Sequence, residues 1–176
     1  MKGFKKNDGM IFENMLNITN EMYDRLGEAV INKRSTPIKV FRTRGNRVLD
    51  AVYEKKSTVD YDGTIKERSV YFEAKSVLEK TRFPLSNIEK HQYEHLKKCH
   101  KQGSICFVLI FFIPHQAIYL IRFELLKEYW ESASAGGRKS IPIAELNERA
   151  HKFGTAGRAP VDYLPIVKRI WFNQPV

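Results

Sequence analysis

Apolar residues recur along the chain with two different periods, and the change of period marks the elements. Ile11, Met15, Ile18, Met22 and Leu26 stand three or four residues apart, which predicts an amphipathic helix over Met10–Leu26 with Gly27 at its end. Beyond Pro37 the period shortens. Ile38 to Phe41 reads as a strand, Arg42 to Arg47 as an exposed basic projection around Gly45, and Val48 to Tyr53 as the returning strand. Ser57 to Gly63 reads as a strand running into an Asp62-Gly63 turn, with Ser69 to Lys75 as its hairpin partner. Ser86 to Lys101 has helical spacing, with Ser86 as N-cap, Glu89 as its capping-box partner and Gly103 as the stop. Ile105 to Phe123 is almost wholly apolar and long enough to suggest a membrane span. Pro114-His115-Gln116 divides it, so two buried strands joined by a turn fit better, and no membrane is expected as a partner. A helix from Glu124 to about Glu131, a basic loop over Ser132–Ser140 and a short helix around Ile143–Ala150 follow, then a mixed tail holding Pro160 and Pro165. This order predicts an α/β fold with a mixed central sheet flanked by helices.

Composition narrows the picture. The 176 residues, 43% of them hydrophobic, suffice for one domain with a real core and are too few to expect two. The polar start, Met1 to Lys6, has no apolar segment behind it and argues against a secretory leader. Cys99 lies in a polar stretch and Cys106 in an apolar one, so a disulfide framework is not expected and the cytoplasm is the simpler location. Lys and Arg outnumber Asp and Glu by 30 to 20, a net charge of +10, which makes a polyanion the leading class of partner. The basic residues gather at Lys33-Arg34, Arg42–Arg47, Lys55-Lys56, Lys97–Lys101 and Arg138-Lys139. Any one of these is an ordinary solvated surface.

The chemistry sits at Asp60 and at Glu73-Ala74-Lys75. Alternate residues of a strand share a face, so Glu73 and Lys75 point the same way, and a hairpin can bring Asp60 beside them. Two carboxylates and an ammonium suit phosphodiester hydrolysis. The carboxylates hold a divalent cation, and the lysine orients the nucleophile or stabilises the transition state. By itself this spacing is a weak signal, because many surface hairpins carry such charges.

Ser57 to Gly63 (STVDYDG) and Phe72 to Lys75 (FEAK) resemble the motifs of RecU-type Holliday junction resolvases, in the PD-(D/E)xK nuclease superfamily. The resemblance runs over nearly the whole chain. It takes in Gly9–Tyr23 with Glu13, Thr36-Pro37-Ile38, Phe83-Pro84-Leu85, His91 to His95, Gly103–Val108 and Gly137 to Ile141, in the family's order. It implies a restriction-endonuclease-like fold in a single nuclease domain over residues 1–176, with a short projecting stalk inserted at about 38–56. Carried over by position, it implies that Asp60 and Glu73 are metal ligands, with Thr58 and Gln92 completing the metal site. Lys75 would be the transition-state stabiliser and Glu13 an additional active-site acid. Two positions depart from the family: Tyr71 stands where an acid is usual, and Asp62 where an uncharged amide is usual. The stalk segment is also several residues short.

Other motifs compete for the same residues. His91 to His95 reads H-x-x-E-H, the inverted zinc-protease pattern, but no third ligand follows it. Gly136 to Ser140 lacks the spacing of a phosphate loop and reads better as a flexible basic loop that touches DNA backbone. Trp130 and Trp171 read as core. The expectation is therefore a Mg²⁺-dependent endonuclease, with Mn²⁺ as a substitute, that resolves four-way junctions as a homodimer, with a recombinase as a further partner. Asp60, Glu73, Lys75 and Glu13 would carry catalysis, and Arg42, Arg44, Arg47, Arg138 and Lys139 would contact DNA. The competing reading is a non-catalytic DNA-binding or strand-exchange modulator on the same fold.

Overall fold

A computed structural model describes residues 4–155 and 157–173; Met1 to Gly3, part of the polar amino terminus, lie outside the described residues. Helix α1 spans Phe4–Arg25, starting earlier than the apolar spacing requires. It ends where Gly27 takes φ +65°, and the Glu28 N–H bonds back to the Tyr23 carbonyl at 2.9 Å. Strand β1 (Val30–Lys33) follows, then a two-stranded ribbon of β2 (Ile38–Arg44) and β3 (Arg47–Tyr53), with Gly45 at φ +57° in its tip. Every residue of the ribbon is exposed.

Strands β4 (Tyr61–Ile65) and β5 (Arg68–Val77) form an antiparallel hairpin. Its turn lies at Lys66-Glu67, so the expected Asp62-Gly63 turn is incorrect: Gly63 is inside β4, opposite Val70. The glycine is there for proximity. A Cβ at this position would lie 2.0 Å from the Val30 carbonyl oxygen of neighbouring β1. Ser57 to Asp60, expected as strand, are an irregular lead-in to β4.

After β6 (Arg82–Pro84) and a single 3-10 turn at Leu85–Asn87 comes helix α2 (Lys90–Lys101). Its N-cap is Glu89 rather than Ser86, because the 3-10 turn already uses Ser86. Gln92 then closes the return arm of a capping box, accepting from the Glu89 N–H at 2.8 Å. The long apolar run becomes β7 (Ile105–Phe112) and β8 (Ala117–Arg122), joined by a 3-10 turn at Ile113–His115. Helix α3 (Phe123–Ser134), β9 (Ser140–Pro142), α4 (Ile143–Arg149), β10 (His151–Phe153) and α5 (Leu164–Phe172) complete the chain.

The main sheet has the order β1-β4-β5-β7-β8-β10, with β5 and β7 parallel and the other neighbours antiparallel. This is the mixed sheet flanked by helices that the element order predicts. Strand β7 is buried along its full length, as a central strand covered on both faces must be. On one face Tyr61, Phe72 and Phe107 stack across β4, β5 and β7 at 4.8 and 4.7 Å, under Phe12, Leu16 and Tyr163. On the other, α2, α3 and α4 cover Val108, Ile110 and Tyr119, and Tyr93 stacks on Trp130 at 4.4 Å. Alternation along β5 sends Phe72 to the first face and Tyr71, Glu73 and Lys75 to the second. Among the described residues no helix is long and apolar enough to cross a membrane, and Cys99 and Cys106 are free thiols.

Candidate active site

Strand β5 fixes the centre of the site. Glu73 lies opposite Val108 of β7 and has no exposed surface, because α2 closes over it. Its carboxylate is held from three sides. Oε1 accepts from the Lys75 ammonium at 2.6 Å and from the Gln92 side-chain amide, and Oε2 accepts from the Asp60 backbone N–H at 3.3 Å. The Asp60 carboxylate accepts from the Ala74 N–H at 3.1 Å, and the Lys75 ammonium is 3.9 Å from it. The lead-in to β4 and the β5 backbone therefore clasp each other through their acids. Burial, followed by the Asp60 carboxylate alongside, pushes the Glu73 carboxyl up to about 9, and Lys75 only partly offsets this.

A cleft of about 370 Å³ opens in front of these groups, lined by Asp60, Lys75, Ser76, Glu79, Asn87 and, from α1, Glu13. Glu13 thus faces the same cleft as the sequence-predicted acids, while its carboxylate is held by Lys33 of β1. The Thr58 side chain is held by a cation from β1's end. Its hydroxyl accepts from the Arg34 guanidinium at 2.9 Å, and the same guanidinium lies 3.4 Å from Asp62. The Arg34 backbone N–H donates to the Asp60 carbonyl at 2.7 Å. One residue therefore holds Asp60 directly and also both residues two places away from it. Sequence reasoning saw Arg34 only as part of a basic pair. The pair was visible, but its role depends on the fold, which places the end of β1 against the lead-in to β4.

The two departures from the family pattern are neighbours. Asp62 and Tyr71 are register partners on β4 and β5, and Asp62 is paired there with Arg34. His91 and His95 of α2 are both engaged within the protein. His91 Nε2 is 2.9 Å from the Ser57 carbonyl, and His95 stands edge-on to Tyr71 at 5.4 Å. Among the described residues no three of His, Cys, Asp and Glu are gathered so as to hold a metal ion. The donors that do converge are the carboxylates of Asp60 and Glu73, hard oxygens with one ammonium between two negative charges. That set is short of positive charge and fits a Mg²⁺-like cation, which takes one or two carboxylates and keeps its waters. Arg42, Arg44 and Arg47 stand on the ribbon, with Arg44 and Arg47 facing each other at its tip, and Arg138 and Lys139 are exposed between α3 and β9.

A mixed sheet carrying paired acids and a lysine at the mouth of a cleft, on a basic chain, defines the class as a nuclease. The Recombination protein U family model matches residues 7–169, and the chain belongs to that RecU family. A Holliday junction resolvase RecU from Geobacillus sp. is 37% identical over 172 residues, covering 95% of this chain and 86% of that protein. The enzyme of the same name from Pediococcus pentosaceus is 36% identical over 170 residues, covering 94% and 85%. That from Bacillus pumilus is 39% identical over 173 residues, covering 95% and 83%. A solved structure of Hjc, a Holliday junction resolvase from Archaeoglobus fulgidus, aligns with a TM-score of 0.40 at 12% identity over 67% of this chain and 75% of that one, a loose likeness.

Proposed function

We infer that this chain is a Holliday junction resolvase, an endonuclease that cuts four-way DNA junctions. The observation that carries the reading is Glu73, fully buried yet locked among Lys75, Gln92 and Asp60 at the end of an open cleft. Two acids and a lysine gathered at a cleft, one of the acids wholly buried and shifted in pKa, mark a functional site. Asp60 and Glu73 hold a divalent cation, Mg²⁺ with Mn²⁺ as its substitute, and Thr58 and Gln92 are the remaining protein donors. Gln92 keeps a lone pair free while its carbonyl accepts from Glu89, so it both orients Glu73 and has an oxygen to offer. When bound, the cation supplies positive charge at the scissile phosphate and a water of lowered pKa. Lys75 stabilises the phosphorane-like transition state, since an ammonium has three donors and Glu73 uses only one of them at 2.6 Å. Glu13, across the cleft, positions the attacking water and takes its proton.

The working unit is a homodimer acting on branched DNA in the cytoplasm, with a recombinase as a further partner. Two opposed strands of a junction need two equivalent sites, which a twofold axis provides. The ribbon supports this arrangement. Ile38, Val40, Phe41, Val48, Leu49 and Val52 are each 41–57% exposed, an apolar surface that a second copy of the ribbon would cover. The chain acts as one nuclease domain from which this ribbon projects as the stalk.

Glu73→Gln and Lys75→Ala test the reading. Both variants should bind a synthetic four-way junction within about threefold of the native affinity, because phosphate contacts elsewhere supply most of the binding. Both should lose cleavage by at least about a hundredfold. Normal turnover by either variant would place the chemistry elsewhere.

A further inference from the structure

A second hollow lies outside the metal-site cleft, where the 3-10 turn before α2 meets α3. Its volume is about 510 Å³, within the roughly 300–1,000 Å³ of pockets that seat a ligand group. Leu85 and Ile88 of the turn form the floor, and Trp130 and Ala133 of α3 form a wall. Two exposed lysines stand at the rim, Lys90 at the start of α2 and Lys139 just before β9. Neither has an ion-pair partner among the described residues, and no acid lines the hollow. Its frame is fixed. The Trp130 ring is stacked on Tyr93 at 4.4 Å, almost parallel to it. The Lys139 carbonyl accepts from the Leu85 N–H at 3.1 Å, beside the pairing of Pro84 with Ser140. The turn also separates the two hollows: Pro84 and Asn87 line the cleft, while Leu85 and Ile88 line this one.

We propose that this hollow docks a partner protein through a short acidic segment with one aromatic anchor. The ring enters against Ile88, Trp130 and Ala133, and carboxylates on either side of it meet Lys90 and Lys139. An apolar floor inside a charged rim is how a small surface holds a partner: the buried anchor supplies affinity, and the charges select the flanking sequence and speed capture. A DNA arm would pair its phosphates with the lysines but leave the apolar floor in water. Lys139, a DNA contact on the sequence reading, serves the partner here, which makes a DNA arm the competing occupant. A docked segment lies one 3-10 turn from the cleft and leaves it open, so the partner brings the chain to DNA without covering the acids. The proposal concerns a separate surface and does not depend on the resolvase reading.

The test uses the full chain and a fluorescently labelled short peptide with a central Phe flanked by Asp and Gly, read by anisotropy. Wild-type protein should bind it saturably. Replacing the Phe by Ser should weaken binding at least about tenfold, the loss of one buried aromatic side chain. Replacing the Asp residues by Asn should weaken it about threefold or more. Ala133→Trp, which fills the hollow, should weaken the peptide at least about tenfold while junction affinity and cleavage stay at the wild-type level. Lys90→Glu, an exposed change in a first helical turn that suits an acid, should also weaken the peptide and guards against misfolding of the filled variant. No binding by wild type, equal binding of the Phe-less peptide, or normal binding by both protein variants would overturn the proposal. So would an equal loss of DNA and peptide affinity in Ala133→Trp, which would give the hollow to a DNA arm. None of these outcomes touches the resolvase reading, which stands or falls on junction cleavage.

Discussion

Burial favours the neutral form of Glu73, so the group can carry charge only with help from a short list of neighbours. Lys75 supplies one positive charge against the two carboxylates, and burial raises the Glu73 carboxyl accordingly. The geometry of the pair then depends on where the Asp60 backbone sits, and Arg34 governs that. Its guanidinium holds the Thr58 hydroxyl at 2.9 Å and the Asp62 carboxylate at 3.4 Å, on either side of Asp60, while its backbone N–H, which an alanine keeps, donates to the Asp60 carbonyl at 2.7 Å. Arg34→Ala should therefore raise the Mg²⁺ concentration for half-maximal cleavage by about 10- to 100-fold, the usual effect of removing a group that orients a ligand. A Mg²⁺ titration at saturating junction reads this directly, and an unmoved midpoint would show that Asp60 holds its place without the guanidinium. Strand alternation made Glu73 and Lys75 legible as neighbours in the sequence, and the family resemblance added Asp60 and the roles. Arg34 was not legible, because its partners are 24 to 28 residues further on and meet it only through sheet pairing.

At the scale of elements, long apolar periods were legible and close approaches were not. The two buried strands β7 and β8 and the ribbon follow from composition and turn residues. Gly63 looked like a turn glycine and serves instead to let β1 and β4 come together. Helix α5 went unseen because Pro165 reads as a breaker, whereas proline is well placed in a first turn. Between α1 and β1, Glu28 ties α5 to the sheet: it accepts from Arg158 at 2.6 Å and Lys168 at 2.8 Å. Those bonds, Arg158 first, hold its carboxyl down at about 2 from an ordinary 4.5. A depressed acid stabilises the fold above its unfolded pKa, so this contribution is complete above about 4.5 and vanishes as pH falls toward 2. Glu28→Gln should cost on the order of 1 kcal/mol at pH 7, the group being partly screened by solvent, and nothing near pH 2. Thermal melts of both proteins across this range decide it, and a pH-independent difference would assign the cost to packing. For the ribbon, changing Arg42, Arg44 and Arg47 together to Ala should weaken junction binding at least about tenfold and duplex binding much less. Competition binding showing equal loss on both substrates would mean that the ribbon contributes charge without shape.

The whole molecule combines three properties that each leave other readings open. A net charge of +10 marks a polyanion partner without naming one. The mixed sheet supports many chemistries. The ribbon is an exposed apolar element whose function depends on what covers it. Together with membership of the RecU family, they converge on incision of branched DNA, which we propose two copies of the chain carry out in pairs. The most direct measurement is a strand-resolved cleavage assay of the wild-type protein with Mg²⁺ on a four-way junction and on linear duplexes of the same arm sequences. The predicted result is a pair of nicks at matching positions in two opposed strands near the exchange point, with the duplexes left intact. Binding without incision, or equal cutting of junction and duplex, would contradict it.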